Sequence, residues 1–262
     1  MTHNALVIIP TYNEAENLPD LVEAILQATS GVNILVVDDN SPDGTGDIAR
    51  QLGAAHPDLV YAVHRAGKLG LGTAYCAGFR FGLERGYTHF ITMDADFSHP
   101  PQRLMPLIEA TQTCAVAIGS RYVAGGEVVG SPTSRRLLSR SANALASTVL
   151  RLPAHDCTAG LRCYRRAVLE TVDFEHILSD GYSFLIEMLY HCRRAGFSVC
   201  EIPITFRDRA RGKSKISEKE IYNAFFTLLR LRTPFVPWSR LMQRGTDQEQ
   251  SKIMGADSGR TP

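Results

Sequence analysis

The chain has 262 residues, 44% of them hydrophobic, which suits one large α/β domain with a buried core. Its 28 Lys and Arg against 27 Asp and Glu leave a formal net charge of +1, so there is no strong uniform field of the kind that draws a protein to nucleic acid. No apolar stretch reaches the roughly 18 residues of a membrane span, and no signal peptide is expected before the first apolar run.

In chain order, residues 5–10, 33–38, 59–64, 88–93 and 115–119 read as short apolar strands. Residues 14–29, 44–54, 72–85 and 101–112 read as the helices between them. This alternation predicts a mainly parallel sheet flanked by helices, with right-handed crossovers. Ser41-Pro42-Asp43-Gly44 is turn chemistry that ends a strand and opens a helix, and His99-Pro100-Pro101 acts likewise. Gly125-Gly126 and Gly130-Ser131-Pro132 mark a flexible loop. A helix over 133–151 follows, with Leu137, Leu138, Leu145, Val149 and Leu150 at helical spacing. Beyond it come a helix over 181–195, a strand over 198–206 joining the same sheet antiparallel, and a last helix over 217–231. One domain over 1–244 is expected, with 217–244 amphipathic and 245–262 a disordered tail.

The six cysteines are Cys76, Cys114, Cys157, Cys163, Cys192 and Cys200. Their spacings fit neither a zinc site nor a disulfide framework, so free thiols in a reducing compartment are expected. The eight histidines lack HxxxH or HExxH spacing, which argues against a histidine metal site.

The chemistry concentrates at strand ends. Asp94-Ala95-Asp96 closes the apolar run His89–Met93 and brings two carboxylates together where a strand opens into a loop. Such a pair calls for a cation, and a hard divalent metal bridging to a diphosphate is the natural occupant. Thr11-Tyr12-Asn13-Glu14 follows the first strand, Asp38-Asp39 the second, and Lys68-Leu69-Gly70-Leu71-Gly72 precedes a helix. All lie on the sheet edge where open α/β folds bind ligands. The glycines of the last cluster are either a phosphate cradle or positions of close approach beside a nucleotide. Arg121, Arg135, Arg136, Arg140, Arg151, Arg162, Arg165 and Arg166 crowd the middle, so a basic region follows an acidic one. Arg135 and Ser139 stand one turn apart on one helix face, and with Arg121 they can grip a phosphate.

PTYNE, VVDDNSPDGT, KLGLGTAY, MDADFSHPP, GSRY, SRRLLSR, DCTAGLRCYRR and ITFRDRARGKSK occur in this order. Together they resemble the polyprenyl-phosphate (dolichyl-phosphate) mannosyltransferases, inverting glycosyltransferases of family 2 with a GT-A fold. The resemblance covers roughly residues 4–232. It implies that Pro10, Tyr12, Glu14, Val37, Asp39 and Ala95 hold the nucleotide of GDP-mannose, and that Asp94 and Asp96 bind Mg2+ or Mn2+ and the diphosphate. Asp38 is then left to hold its loop. Ser98 stands where some relatives carry Gln, and its shorter hydroxyl would reach a metal through a water. Arg121, Arg135 and Ser139 are implied to take the lipid phosphate, and Asp156 to order the sugar pocket. Arg209 and Lys215 match the late basic pair, on a loop expected to close over the diphosphate. Asp96, Arg121, Arg209 and Lys215 are therefore the expected catalytic residues, despite a departure at Lys213, where relatives often have an acid.

The implied reaction is transfer of mannose to a polyprenyl or dolichyl monophosphate. Related transfer from UDP-glucose or another nucleotide sugar, or a non-catalytic nucleotide-sugar-binding subunit, are the rival readings. Ile221, Tyr222, Phe225, Phe226, Leu228 and Leu229, followed by Arg230, Arg232, Trp238 and Arg240, suit a headgroup boundary. Peripheral attachment to the cytoplasmic face of a membrane is the expected location. The alternatives for this segment are packing on the core and docking a partner subunit, one that is itself anchored in the membrane.

Overall fold

The structure is a computed structural model that describes residues 4–208 and 218–232, with side chains of the last segment from Ala224 onward. The N-terminal half is a strand–helix alternation: β1 Ala5–Thr11, α1 Leu18–Ala28, β2 Val32–Asp38, α2 Thr45–Ala55, β3 Val60–His64, α3 Leu71–Glu84 and β4 His89–Thr92. A 3-10 turn at Pro101–Arg103 leads into α4 Leu104–Ala110 and β5 Val116–Ser120. Then come β6 Glu127–Val129, α5 Thr133–Leu150, β7 Arg162–Arg165, α6 Arg166–Thr171, α7 Tyr182–Arg194, β8 Val199–Pro203, β9 Thr205–Arg207 and α8 Glu218–Arg232.

The main sheet has seven strands in the order β3-β2-β1-β4-β7-β5-β8. β1 shows why it sits near the centre: Leu6 and Ile8 enter the core on one face, while Ala5, Val7 and Ile9 enter the core on the other. A strand with no polar face must be covered on both sides. α1 supplies part of that cover, burying Leu18, Leu21, Val22 and Ile25 at one-face helical spacing.

Two expectations about strands need correction. Residues 198–206 do not form one antiparallel strand. β8 runs parallel to β5, because α6 and α7 carry the chain back across the sheet, and β9 leaves to pair with β6 in a separate two-stranded sheet. The antiparallel member is β7, which the sequence did not announce, inserted between β4 and β5. Its reversed direction matters for the site. Thr92 pairs with Arg162, so the segment entering β7 arrives at the same edge where β1, β2, β4 and β5 end.

The expectation of six free thiols is also corrected: Cys114 and Cys200 are joined in a disulfide, and Cys76, Cys157, Cys163 and Cys192 are free. The partners are 86 residues apart in sequence, but Cys114 just before β5 and Cys200 on the adjacent β8 have Cα atoms 5.9 Å apart, a proximity that sequence spacing does not reveal.

α8 packs on the core by one face and exposes the other. Leu228 joins the core cluster, the Thr227 hydroxyl meets that of Ser179, and Arg230 pairs with buried Glu187. Phe225, Phe226 and Leu229 remain exposed. Burial opposes the charge on Glu187, but hydrogen bonds involving His191 and Ser179 and the charge of Arg230 prevail and hold it down at about 2. A folded value below the ordinary 4.5 means that this contribution is complete above that pH and lost as pH falls toward 2. Glu187→Gln should therefore melt below wild type at pH 7, and the two melting curves should converge near pH 2. The expected tail, 245–262, and Trp238 and Arg240 lie outside the described residues.

Candidate active site

The first cluster forms where β1 and β2 end. The Asp38 carboxylate accepts from the Thr11 hydroxyl and from the backbone and hydroxyl of Ser41, so it holds its loop as the sequence suggested. Asp39 is engaged as well. It pairs with Arg65 and accepts the amides of Leu69 and Gly70 at 3.0 and 3.2 Å, so it organises the glycine-rich turn. Lys68 Nζ lies 4.0 Å from the centre of the Tyr12 ring, a cation–π contact. Pro10 is half-buried beside Val37, its register partner, and Val37 lies wholly in the core. Glu14 accepts from the Asn17 amide group. The glycines are positions of close approach: a Cβ on Gly70 would meet the Asp180 carboxylate at 2.6 Å, and one on Gly72 the Phe184 ring at 2.7 Å.

The DxD cluster follows β4. Asn13, Asn40 and Phe97 all take positive φ, of 61°, 56° and 60°, one at each of three neighbouring strand ends. Unfavourable backbone of this kind persists where the surroundings over-determine it, and it gathers at functional sites. Asp96 is buried and accepts the Ser98 amide at 3.0 Å. Asp94 faces the adjoining cavity and accepts from the Tyr75 hydroxyl at 3.3 Å. Gly160 gives it room, since a Cβ there would lie 3.2 Å from the Asp94 carboxylate. Ala95 is buried between the pair. His99 stands behind, its Nδ1 3.4 Å from the Asp94 amide and its ring edge-on to Phe206; burial pushes its pKa down, against the pull of Asp94 and Asp96.

No group of three or more His, Cys, Asp and Glu able to hold a metal occurs among the described residues. Two carboxylates are present, and Ser98 Oγ is a buried oxygen with no hydrogen-bond partner in the described structure. This is a hard, all-oxygen donor set, which fits Mg2+ or Mn2+ and does not fit a soft metal.

The basic cluster is built across the edge. Arg121, directly after β5, donates through Nε and Nη2 to Asp156 at 2.7 and 2.6 Å, and through Nη2 to the Thr158 hydroxyl. Asp156 is wholly buried and its own amide is held by Glu201. The Asp156 pair raises the Arg121 pKa despite the cost of burial, so the guanidinium is permanently charged. Asp156 thus orients Arg121. Arg135 and Ser139 rise from α5 into the same cavity as Arg121 and Asp94, a cleft of about 280 Å³. Ser139 accepts from the Tyr122 hydroxyl at 2.8 Å, and Arg135 donates to Asp208. Away from this polar end the walls are apolar, formed by Leu138, Leu145, Ile186, Phe225 and Leu228 from α5, α7 and α8.

The structure brings Asp94, Arg121, Arg135, Arg136 and Ser139 to one cavity, and it places Arg162 and Arg166 elsewhere. Arg162 is fully buried, donating to the carbonyls of Cys157, Ala159 and Leu185, so it belongs to the core rather than to a basic surface. Arg166 binds Glu170 and the carbonyls of Leu83 and Tyr87. Arg209 and Lys215 lie outside the described residues. Sequence reasoning missed Tyr75, Arg65, Tyr122 and Asp208. Tyr75 reads as one more apolar position of α3, and Asp208 is masked by the arginines flanking it.

Comparison with known proteins bears on this arrangement. The family model "Glycosyl transferase family 2" matches residues 6–173. The polyprenol monophosphomannose synthase of Mycolicibacterium smegmatis is 50% identical over 226 residues, covering 86% of this chain and 85% of the relative. The undecaprenyl-phosphate mannosyltransferase of Micrococcus luteus is 47% identical over 212 residues, covering 81% and 87%. Among solved structures, glucosyl-3-phosphoglycerate synthase from Mycobacterium tuberculosis in complex with phosphoglyceric acid superposes with a TM-score of 0.64 at 18% identity, over 88% of this chain and 81% of that one. The same enzyme with Mn2+, UDP-glucose and phosphoglyceric acid gives 0.63 at 19% identity, with the same coverage. At that identity the likeness speaks for the fold, GT-A-like with a mostly parallel central sheet, while the family model and the two close relatives place the sequence itself: the chain belongs to glycosyltransferase family 2.

Proposed function

We propose that this chain transfers mannose from GDP-mannose to a polyprenyl monophosphate, with inversion at the anomeric carbon. The observation that carries the reading is the cleft itself, which is lined by a carboxylate of the DxD pair, by Arg121, Arg135 and Arg136, and by apolar side chains of α5, α7 and α8. A nucleotide diphosphate end, a phosphate and a hydrocarbon chain would meet there in the order the reaction needs. The names of the two close relatives support the acceptor class and the sugar.

Asp94 and Asp96 would hold Mg2+ or Mn2+, which as a Lewis acid would offset the charge developing on the departing diphosphate. Tyr75 fixes the Asp94 carboxylate from behind, and the Ser98 amide fixes Asp96. The Tyr12 ring, already in contact with Lys68, would stack on the base. Arg121, locked by Asp156, and Arg135 with Ser139 would orient the acceptor phosphate. A phosphate monoester is largely dianionic near neutral pH, its second pKa being about 6, so its oxygen attacks without a strong general base. The anomeric carbon gains a bond to that oxygen as its bond to the GDP oxygen breaks, and the single displacement inverts the centre. The protein contributes position and preorganised charge. Arg209 and Lys215 are proposed to act on the leaving diphosphate.

The acceptor is membrane-bound, and no helix among the described residues is long and apolar enough to cross a bilayer. α5 exposes Leu137, Leu138 and Leu145 beside Arg136 and Arg140, and α8 exposes Phe225, Phe226 and Leu229. Leu138, Leu145 and Phe225 also line the cleft, and these exposed faces suit peripheral attachment at the cytoplasmic headgroup layer. Flotation with vesicles containing anionic lipid should carry the protein, and truncation after Arg232 should weaken flotation while sparing GDP-mannose affinity. To test the reaction, purified protein is offered GDP-mannose, UDP-glucose and other nucleotide sugars with either polyprenyl phosphate or the free polyprenol. Product is expected only from GDP-mannose with the phosphate; preferred use of UDP-glucose, or equal use of the alcohol, would overturn the reading.

A further inference from the structure

β9 ends at a junction that the reaction as described does not use. Asp208 follows it, its amide bonded to the Val129 carbonyl of β6 and its Cβ 3.6 Å from where a Gly130 Cβ would sit. The two-stranded sheet therefore fixes where its carboxylate is presented. That carboxylate lies against Arg135, with Nη1 at 3.0 Å from Oδ2 and 3.4 Å from Oδ1. Both side chains line the cleft and are partly open to solvent, at 33% for Arg135 and 23% for Asp208. Phe206, two residues earlier, packs on both His99 and Arg121.

We propose that Asp208 is an internal counter-ion occupying on Arg135 the place of the acceptor phosphate, and that it sets which acceptors bind. This rests on the reading of Arg121, Arg135 and Ser139 as the acceptor-phosphate subsite. A half-exposed arginine–carboxylate pair is weak, because solvent screens it and both side chains lose freedom in forming it. A dianionic phosphate monoester attracts the same guanidinium more strongly and displaces the carboxylate from it. A neutral polyprenol does not. The displaced carboxylate stays nearby, tethered to β9, and repels the dianion. Asp208 therefore lowers acceptor affinity overall in exchange for rejecting weakly charged ligands. The pairing of Arg121 differs in this respect: Asp156 is wholly buried and bidentate, so it is a fixed support and not an exchangeable one.

The test compares wild type with Asp208→Asn, Asp208→Glu and Arg135→Ala in the full chain, using a short-chain polyprenyl phosphate as acceptor and inorganic phosphate as competitor. Asn keeps the shape and a hydrogen-bonding oxygen but removes the charge. Asp208→Asn should lower the acceptor KM about three- to tenfold at low salt, as expected for one like charge removed at contact distance in a partly screened site. Inhibition by inorganic phosphate should tighten in parallel, the GDP-mannose KM should not move, and the gain should shrink at high salt. Asp208→Glu restores the charge and should return the acceptor KM toward wild type. Arg135→Ala should raise it. If Arg135→Ala raises the acceptor KM while Asp208→Asn leaves it unchanged or raises it, the counter-ion role is wrong and the acceptor subsite stands. If Arg135→Ala leaves the acceptor KM unchanged, the acceptor subsite falls, and the role of Asp208 with it.

Discussion

Asp96→Asn is expected to abolish nearly all transfer while leaving the fold in place. The side chain is buried and accepts the Ser98 amide, which an asparagine oxygen can also do. What the substitution removes is charge. A carboxylate that helps to hold a divalent cation against a departing diphosphate is worth several kcal/mol in the transition state. The loss in kcat/KM is therefore expected to be about 10²–10³-fold. The melting temperature should stay within about 2 °C of wild type, since one polar group replaces another of the same shape. Calorimetry should show GDP-mannose binding that no longer responds to added Mg2+ or Mn2+. Near wild-type turnover in this variant would remove Asp96 from the metal site.

Asp156→Ala should act through a different cause and damage stability as well as function. Asp156 is wholly buried, holds both Nε and Nη2 of Arg121, and accepts the Arg121 amide. Its loss leaves a guanidinium in a nearly closed site, where Nη2 keeps Thr158 as its side-chain partner among the described residues. Breaking one side of a buried pair costs about 3–5 kcal/mol, because the remaining charge stays desolvated. For a chain of this size that is a fall in melting temperature of about 10 °C. Acceptor KM should rise in the protein that remains folded, since Arg121 loses its orientation. Asp156→Ala combined with Arg121→Met, which removes both charges, should recover much of the stability and none of the activity. Stability equal to wild type in Asp156→Ala alone would show that the pair is not what holds this edge of the sheet.

The sequence made legible those features whose physical cause is local. β1, β2 and β4 announce themselves as short apolar runs because both their faces are covered, and the carboxylates that follow them mark the functional edge. Asp94, Arg121, Arg135 and Ser139 were chosen from motifs and do converge on one cleft. What stayed illegible depends on distant partners. β7 reads Arg-Cys-Tyr-Arg, which looks like surface, yet it is interior because three backbone carbonyls satisfy Arg162. The direction of β8 depends on the route of α6 and α7, and the Cys114–Cys200 pair on the adjacency of β5 and β8. Gly70 and Gly72 were read as either a phosphate cradle or positions of close approach, and the neighbours they approach, Asp180 and Phe184, come from a much later segment. The contacts of Asp39 with Arg65 and with the amides of Leu69 and Gly70 were likewise invisible in its motif. In each case the deciding contact spans a sequence separation that no local pattern encodes.

The central claim is that one cleft joins a nucleotide-diphosphate mannose to a lipid phosphate. The measurement that tests it most directly is a single incubation of purified protein with GDP-mannose, polyprenyl phosphate and Mg2+ or Mn2+, followed by NMR of the lipid product. The account predicts a mannosyl phosphodiester of the lipid with inverted anomeric configuration, formed with release of GDP and absent when the metal is chelated. A product with retained configuration, or no lipid-linked mannose from folded protein with both substrates and metal present, would contradict it.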